Sequence, residues 1–305
     1  MLSWVKELSD ILLTEILQGN KLLYNEPMKN HTTFKIGGVA DILALPETQD
    51  EIISLLRYAK EENVPCFVMG NGSNLLVSDK GIRGLVIKLF KNYSKISVNG
   101  DVITAQSGAL LSKVSSEAAK NSLTGLEFAS GIPGTLGGAV YMNAGAYGGE
   151  MRDVVLETTY IDKDLEIKKL TEHSFSYRHS IFQENGGIII SSVMKLKKGN
   201  ADEINDKIRE LSLQRTAKQP VEMPSAGSAF KRPEGYFAAK LIDDCGLRGF
   251  KIGGAAVSSK HTGFVVNEGG ATAGDVKKLL SEVQRIVYDK TGVTLQPEIK
   301  FIGED

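Results

Sequence analysis

Between Gly131 and Gly138 the chain places four glycines in eight residues, as Gly131-Ile132-Pro133-Gly134-Thr135-Leu136-Gly137-Gly138, and continues through Ala139-Val140 to Asn143-Ala144-Gly145-Ala146. A linker this rich in glycine is ordinarily more polar. Here the glycines are interleaved with Ile132, Leu136, Ala139 and Val140, which implies packing. Glycine lets a backbone turn sharply and approach a ligand closely. Small residues flanking amide donors are what a diphosphate or the edge of a flavin requires. A second segment, Gly70-Asn71-Gly72-Ser73-Asn74-Leu75, follows the apolar run Cys66-Phe67-Val68-Met69. Alone it reads first as a tight surface turn. Neither segment fits GxxxxGK[ST], so a P-loop is not expected. Neither fits GxGxxG between strand and helix, so a Rossmann site is not expected. Spacing alone points to a phosphate-bearing ligand held in an uncommon way.

The 305 residues suggest two domains, at roughly 100–200 residues per domain. Lys and Arg total 36 against 37 Asp and Glu, a net charge of -1, which argues against a nucleic-acid protein with its basic excess. The two cysteines, Cys66 and Cys245, lie far apart without metal-type spacing, so neither a disulfide framework nor a metal site is expected. Both read as small buried hydrophobes. No apolar run reaches the ~18 residues of a membrane span, and no leader pattern opens the chain. Trp4, Val5, Leu8, Ile11, Leu12 and Ile16 instead mark an amphipathic helix. A cytoplasmic protein with no membrane or nucleic-acid partner is expected.

Periodicity places the other elements. An extended stretch is expected from Thr32 to Leu45, ended by Pro46, followed by a helix with Ile52, Ile53, Leu55, Leu56 and Ala59 on one face, then a buried strand at Cys66–Met69. Asn99-Gly100 between alternating runs predicts a hairpin. Helices are expected at about Leu110–Asn121, Glu203–Arg215 and Gly235–Asp244, and strands around Val154–Ile161 and Ile188–Leu196. Val276, Leu279, Leu280, Val283, Ile286 and Val287 form an i, i+3, i+4, i+7 stripe. The composition shifts near residue 200, where a domain boundary is expected.

The two glycine segments together resemble the FAD-binding domain of vanillyl-alcohol-oxidase (PCMH-type) flavoproteins. Ser176-Tyr177-Arg178-His179-Ser180, Ser225-Ala226-Gly227-Ser228-Ala229-Phe230-Lys231 and Leu295-Gln296-Pro297-Glu298-Ile299-Lys300-Phe301-Ile302-Gly303 narrow the resemblance to the UDP-N-acetylenolpyruvoylglucosamine reductases (MurB). Five motifs in order, from about Thr32 to the C-terminus, carry it. The resemblance implies an α+β protein: an N-terminal helical segment (1–30), a PCMH-type FAD domain of two α/β subdomains (31–198) and an α+β substrate domain (199–305). It implies non-covalent FAD, NADPH as hydride donor, and reduction of UDP-N-acetylglucosamine enolpyruvate to UDP-N-acetylmuramate in cell-wall precursor synthesis, by a monomer. No long insertion lies between Ser180 and Ala201, so the chain resembles the shorter subtype, without the tyrosine loop that closes over substrate.

Site residues follow from the same resemblance. Arg178 matches the family's arginine, a planar fork suited to a carboxylate. Ser228 matches its proton donor and Glu298 its glutamate, which shares a hydrogen bond with the substrate carboxylate. Without the motifs these would read as a surface arginine, a turn serine and a strand glutamate paired with Lys300. Gly70, Asn71, Gly72, Ser73, Asn74, Leu75, Ile132, Pro133, Gly134, Thr135, Gly137, Gly138 and Ala139 are expected at FAD, with Arg215. Lys218 and Arg232 are the first candidates for the UDP diphosphate, Arg248 and Lys300 the weaker ones. His261 could line the sugar pocket but reads more readily as structural.

Overall fold

A computed structural model describes residues 13–17, 19 and 21–304. The expected helix from Trp4 to Ile16 falls largely outside them. The chain divides into two compact units. The first takes residues up to Tyr24, Ile42–Asn71 and Gly84–Leu213; the second takes Asn25–Asp41, Gly72–Arg83 and Gln214 onward.

The first unit has two apolar cores. One gathers Ala44, Ile52, Leu55, Leu85 and Ile87 around the helix Gln49–Glu61. Thr48 caps that helix in a reciprocal box with Glu51, an arrangement worth about 1 kcal/mol. The sheet beside it runs in the order Leu22–Pro27, Val39–Ala44, Ile82–Lys88, Cys66–Met69. The strand expected at Cys66–Met69 is present, but it forms the edge, paired in parallel with Ile82–Lys88 alone. Cys66 is therefore exposed, contrary to expectation, while Cys245 is buried. A short apolar run reports strand formation; only its place in the sheet decides how much of it water reaches.

The second core of this unit lies under an antiparallel sheet ordered Ile167–Leu170, Val155–Ile161, Ile188–Lys195, Val102–Gln106, Ile96–Asn99. The expected hairpin closes between Asn99 and Val102, with Gly100 at φ +63°. Leu111 and Val114 of the helix Leu111–Lys120, and Leu136 and Val140 of the helix Leu136–Tyr141, are buried in this core. A polar chain runs through the sheet: His173 Nε2 meets Thr158 Oγ1 at 2.9 Å, and Thr158 Oγ1 meets Ser192 Oγ at 3.0 Å.

The second unit holds the antiparallel sheet Ser225–Ser228, Phe264–Asn267, Ala255–Val257, Lys251–Ile252, packed with the helix Ala273–Thr291. The stripe from Val276 to Val287 is the buried face of that helix, with Ile286 partly covered. Thr272 and Asp275 form its capping box. Asp79, nearly two hundred residues away, accepts from the amides of Ala273 at 2.8 Å and Gly274 at 2.9 Å. A carboxylate on the first-turn amides also complements the helix dipole.

Two boundaries differ from the periodicity. The stretch from Thr32 is not extended: the strand begins only at Val39, because Lys35 (φ +54°) and Gly37 (φ +136°) turn the chain. A Cβ at Gly37 would lie 2.7 Å from Val77 Cβ, so only glycine fits. The helix expected from Gly235 starts at Ala238, since Gly235 sits at φ +72°.

Candidate functional site

In the first unit Gly70 and Asn71, which open the first glycine segment, meet the second segment. A Cβ on Gly70 would lie 2.1 Å from Thr135 Oγ1, and one on Gly137 would lie 2.8 Å from Ser107 Cβ. The Asn71 side-chain amide donates to the Pro133 carbonyl at 2.7 Å. Backbone bonds fix the second segment from behind: Leu111 N to Gly134 O (3.1 Å), Leu136 N to Ala109 O (2.8 Å) and Gly137 N to Ser107 O (2.8 Å). Ile132 and Ala139 turn into the core. At Gly138 an added Cβ would find only Thr135 Oγ1, at 3.8 Å, so the backbone there is bare on a packed foundation. That pairing of close-packed and uncovered glycines suits a flat, diphosphate-bearing cofactor. Lys88, in register with Met69 just before Gly70, is buried. Burial, with Lys91 nearby, pulls its ammonium down to about 8. No local signal in the sequence marks Lys88, since a lysine in an apolar strand looks like a solvated edge.

Arg178 is held on a tight turn in the same unit. Ser176 and His179 exchange both backbone bonds at 3.2 Å, and Arg178 adopts φ +55°. The Arg178 carbonyl accepts from Gln183 Nε2 at 2.9 Å, while Ser180 Oγ and Gln183 Nε2 both donate to Tyr141 O, at the end of the helix that starts after Thr135. The guanidinium lies 5.0 Å from the Tyr177 ring centroid. Asn143, fully buried at φ +42°, secures this turn by donating to Ser176 O at 3.0 Å and Glu150 Oε2 at 2.9 Å, and by accepting from Arg152 N. Asparagine tolerates left-handed backbone, a signal that could have singled Asn143 out.

In the second unit the serine and glutamate motifs are laced together. Glu298 N donates to Ala229 O at 2.9 Å, and Lys231 N to Gln296 O at 2.8 Å. Asn74 joins them: its side chain donates to Glu298 O at 3.3 Å and its carbonyl accepts from Lys300 N at 2.9 Å, as Leu75 and Lys300 pair in parallel. Ser225 faces Val266 and Ser228 faces Phe264, so three steps on one strand match two on the other. This bulge, with Gly227 at φ +78°, breaks the alternation and leaves Ser228 exposed next to buried Ala229. Gly72, also at positive φ, accepts from Thr33 N at 3.4 Å. Ser73 is half-buried beside it.

The basic candidates separate. Arg215 is half-buried and Lys218 exposed in the last turn of the helix Ala201–Lys218. Arg232 is exposed, its guanidinium 4.0 Å over the Phe237 ring. Lys300 is exposed on its strand. Arg248 is committed elsewhere: it bonds both oxygens of Asp243, at 3.0 and 2.7 Å, and donates to Ser259 O, holding the Asp243 carboxyl below its ordinary range. His261 accepts from Gly263 N at Nδ1 and packs edge-on against Phe264. Burial pushes its pKa down.

Residues 40–171 match the family described as FAD binding domain, and residues 219–302 match UDP-N-acetylenolpyruvoylglucosamine reductase, C-terminal domain. The protein is thus a flavin-dependent oxidoreductase of mixed α and β content, with an FAD-binding domain followed by a separate C-terminal domain. The chain is 53% identical to the UDP-N-acetylenolpyruvoylglucosamine reductase of Caldanaerobacter subterraneus subsp. tengcongensis over 96% of its own length and 97% of that protein. It is 49% identical to the one from Clostridioides difficile, over 97% and 98%. It superposes on the crystal structure of the Thermus caldophilus enzyme (MurB) with a TM-score of 0.78 at 36% identity, over 90% of this chain and 97% of that one. The chain belongs to the UDP-N-acetylenolpyruvoylglucosamine reductase family. It is an oxidoreductase with UDP-N-acetylmuramate dehydrogenase activity, it uses FAD and NADPH, and it forms a peptidoglycan precursor.

Proposed function

We propose that Arg178, Ser228 and Glu298 carry the reduction of UDP-N-acetylglucosamine enolpyruvate. The bound FAD supplies a hydride acceptor for NADPH and a hydride donor for the substrate's methylene carbon. As that carbon gains hydride, negative charge develops on its neighbour and the attached carboxylate. Arg178 offers a planar two-pronged donor to that carboxylate. Glu298 shares a hydrogen bond with the same carboxylate, and Ser228 delivers the proton to the carbon that bears it.

The observation that carries this reading is the lacing of Ser228 to Glu298. The Glu298 amide bonds the carbonyl of the residue after Ser228, and the bulge turns Ser228 outward. Asn74, in the same unit, donates to the Glu298 carbonyl. The FAD is assigned to Gly70–Leu75, Ile132–Ala139 and Arg215, and the diphosphate to Lys218, Arg232 and Lys300, with Arg248 set aside for its bonds to Asp243. The two family matches, ending at 171 and beginning at 219, support a cofactor module up to about residue 198 and a substrate module from 199. The reading has a cytoplasmic monomer working on soluble nucleotides. A net charge of -1 fits a protein without a nucleic-acid partner, and no helix among the described residues is long and apolar enough to cross a membrane.

The test is Ser228→Ala in stopped flow. Bleaching of the flavin by NADPH stays near the wild-type rate, while its return with the enolpyruvyl substrate slows by orders of magnitude. Equal losses in both half-reactions would remove Ser228 from the acid role.

A further inference from the structure

We propose that the segment Arg232–Phe237 is the base-binding platform of this chain, with the Phe237 ring as the surface on which the uracil of the UDP sugar stacks. The proposal rests on the functional reading above and adds the group that recognises the nucleotide.

Two neighbouring aromatic side chains stand in solvent here, Tyr236 at 49% and Phe237 at 60% exposure. One face of the Phe237 ring is covered by the Arg232 guanidinium at 4.0 Å, and Arg232 Nε donates to Tyr236 O at 3.4 Å. Such a contact orients the ring and leaves the rest of it for another planar group.

The segment is a built element. Tyr236 N bonds Pro233 O at 3.1 Å, and Gly235 makes the turn at φ +72°. Phe237 caps the helix Ala238–Asp244, its carbonyl accepting from Leu241 N at 3.1 Å. At the other end, Lys231 N bonds Gln296 O at 2.8 Å. The platform is therefore a direct continuation of the ladder that presents Ser228 and Glu298, and a ring fixed before binding loses little freedom on contact.

The chemistry selects the occupant. Lys231 and Arg232 place positive charge beside the aromatic pair, which suits a base followed by a diphosphate. NADPH also carries planar bases and a diphosphate. The uracil is chosen because the same ladder bears the two residues assigned to the enolpyruvyl sugar.

The experiment is calorimetric titration of the oxidised holoenzyme with UDP and, separately, with NADP+, for wild type, Phe237→Ala and Phe237→Tyr. Flavin absorbance and thermal melting confirm that each variant is folded and loaded. Phe237→Ala weakens UDP about tenfold, within the range that base stacking contributes, Phe237→Tyr restores it, and NADP+ affinity holds. UDP affinity unchanged in Phe237→Ala, or a loss confined to NADP+, overturns the proposal. If UDP fails to bind wild type at all, the fault lies in the functional reading, and the proposal falls with it.

Discussion

The side-chain amide of Asn71 reaches across the first unit to the Pro133 carbonyl, at 2.7 Å, and joins two glycine-rich segments that stand 62 residues apart. Beside it Gly70 packs against Thr135 so closely that no side chain fits. The contact turns two loops into one surface, with Gly138 left bare on it.

Gly70→Ala puts a methyl group 2.1 Å from Thr135 Oγ1, and one segment must shift away from the other. Overpacking of this kind costs about 1–3 kcal/mol. The expected result is a lower melting temperature together with weaker FAD rebinding to the apoprotein, followed by flavin fluorescence. A Gly70→Ala protein that rebinds FAD like wild type would show that the two segments do not need this approach.

Arg178 holds a left-handed backbone conformation that costs a non-glycine residue about 1 kcal/mol. Arg178→Gly relieves that cost while deleting the guanidinium. We expect a urea midpoint equal to or above wild type and a flavin reoxidation by the enolpyruvyl substrate slowed by at least about a hundredfold, on the scale of removing one donor to a developing anion. Loss of stability alongside loss of activity would mean that the side chain holds the turn together.

His173 is buried, donates through Nδ1 to Thr171 O and accepts at Nε2 from the Thr158 hydroxyl, which in turn accepts a hydrogen bond from Ser192 Oγ. Burial pushes its pKa below the ordinary 6.5. The fold therefore favours the neutral ring. Its contribution to stability is fully present above about pH 6.5 and is lost as pH falls below that value toward the folded pKa. Urea midpoints measured at about pH 7.5 and 5.5 should fall more for wild type than for His173→Phe. An equal drop in both proteins would assign the acid sensitivity to other groups.

Where a residue's setting is local, it was legible beforehand. The stripe from Val276 to Val287 names the buried face of its helix because helical period and burial follow one rule. Asn99-Gly100 names its hairpin because a positive φ at Gly100 is a local demand. The motifs around Arg178, Ser228 and Glu298 were legible through resemblance, for no spacing would have singled out a serine as an acid.

What local rules could not supply came from long-range partners. Cys66 lies on an exposed edge because its strand has a neighbour on one side only. Lys35 and Gly37 turn where an extended stretch is expected, and Met28 and Val77 leave room at 37 for glycine alone. Asp79 stops being an ordinary loop acid only when a helix start almost two hundred residues later presents two amides to it. Arg248, a weaker diphosphate candidate than Arg232 in the sequence, is bound instead by Asp243 and Ser259. The sequence alone determined which residue types the protein has for its chemistry and which stretches must coil or extend, since those depend on neighbours a few positions away. The tertiary structure decided which of those residues are held, turned outward or committed elsewhere, because burial, hydrogen-bond partners and a bulge in register arise only when distant segments pack.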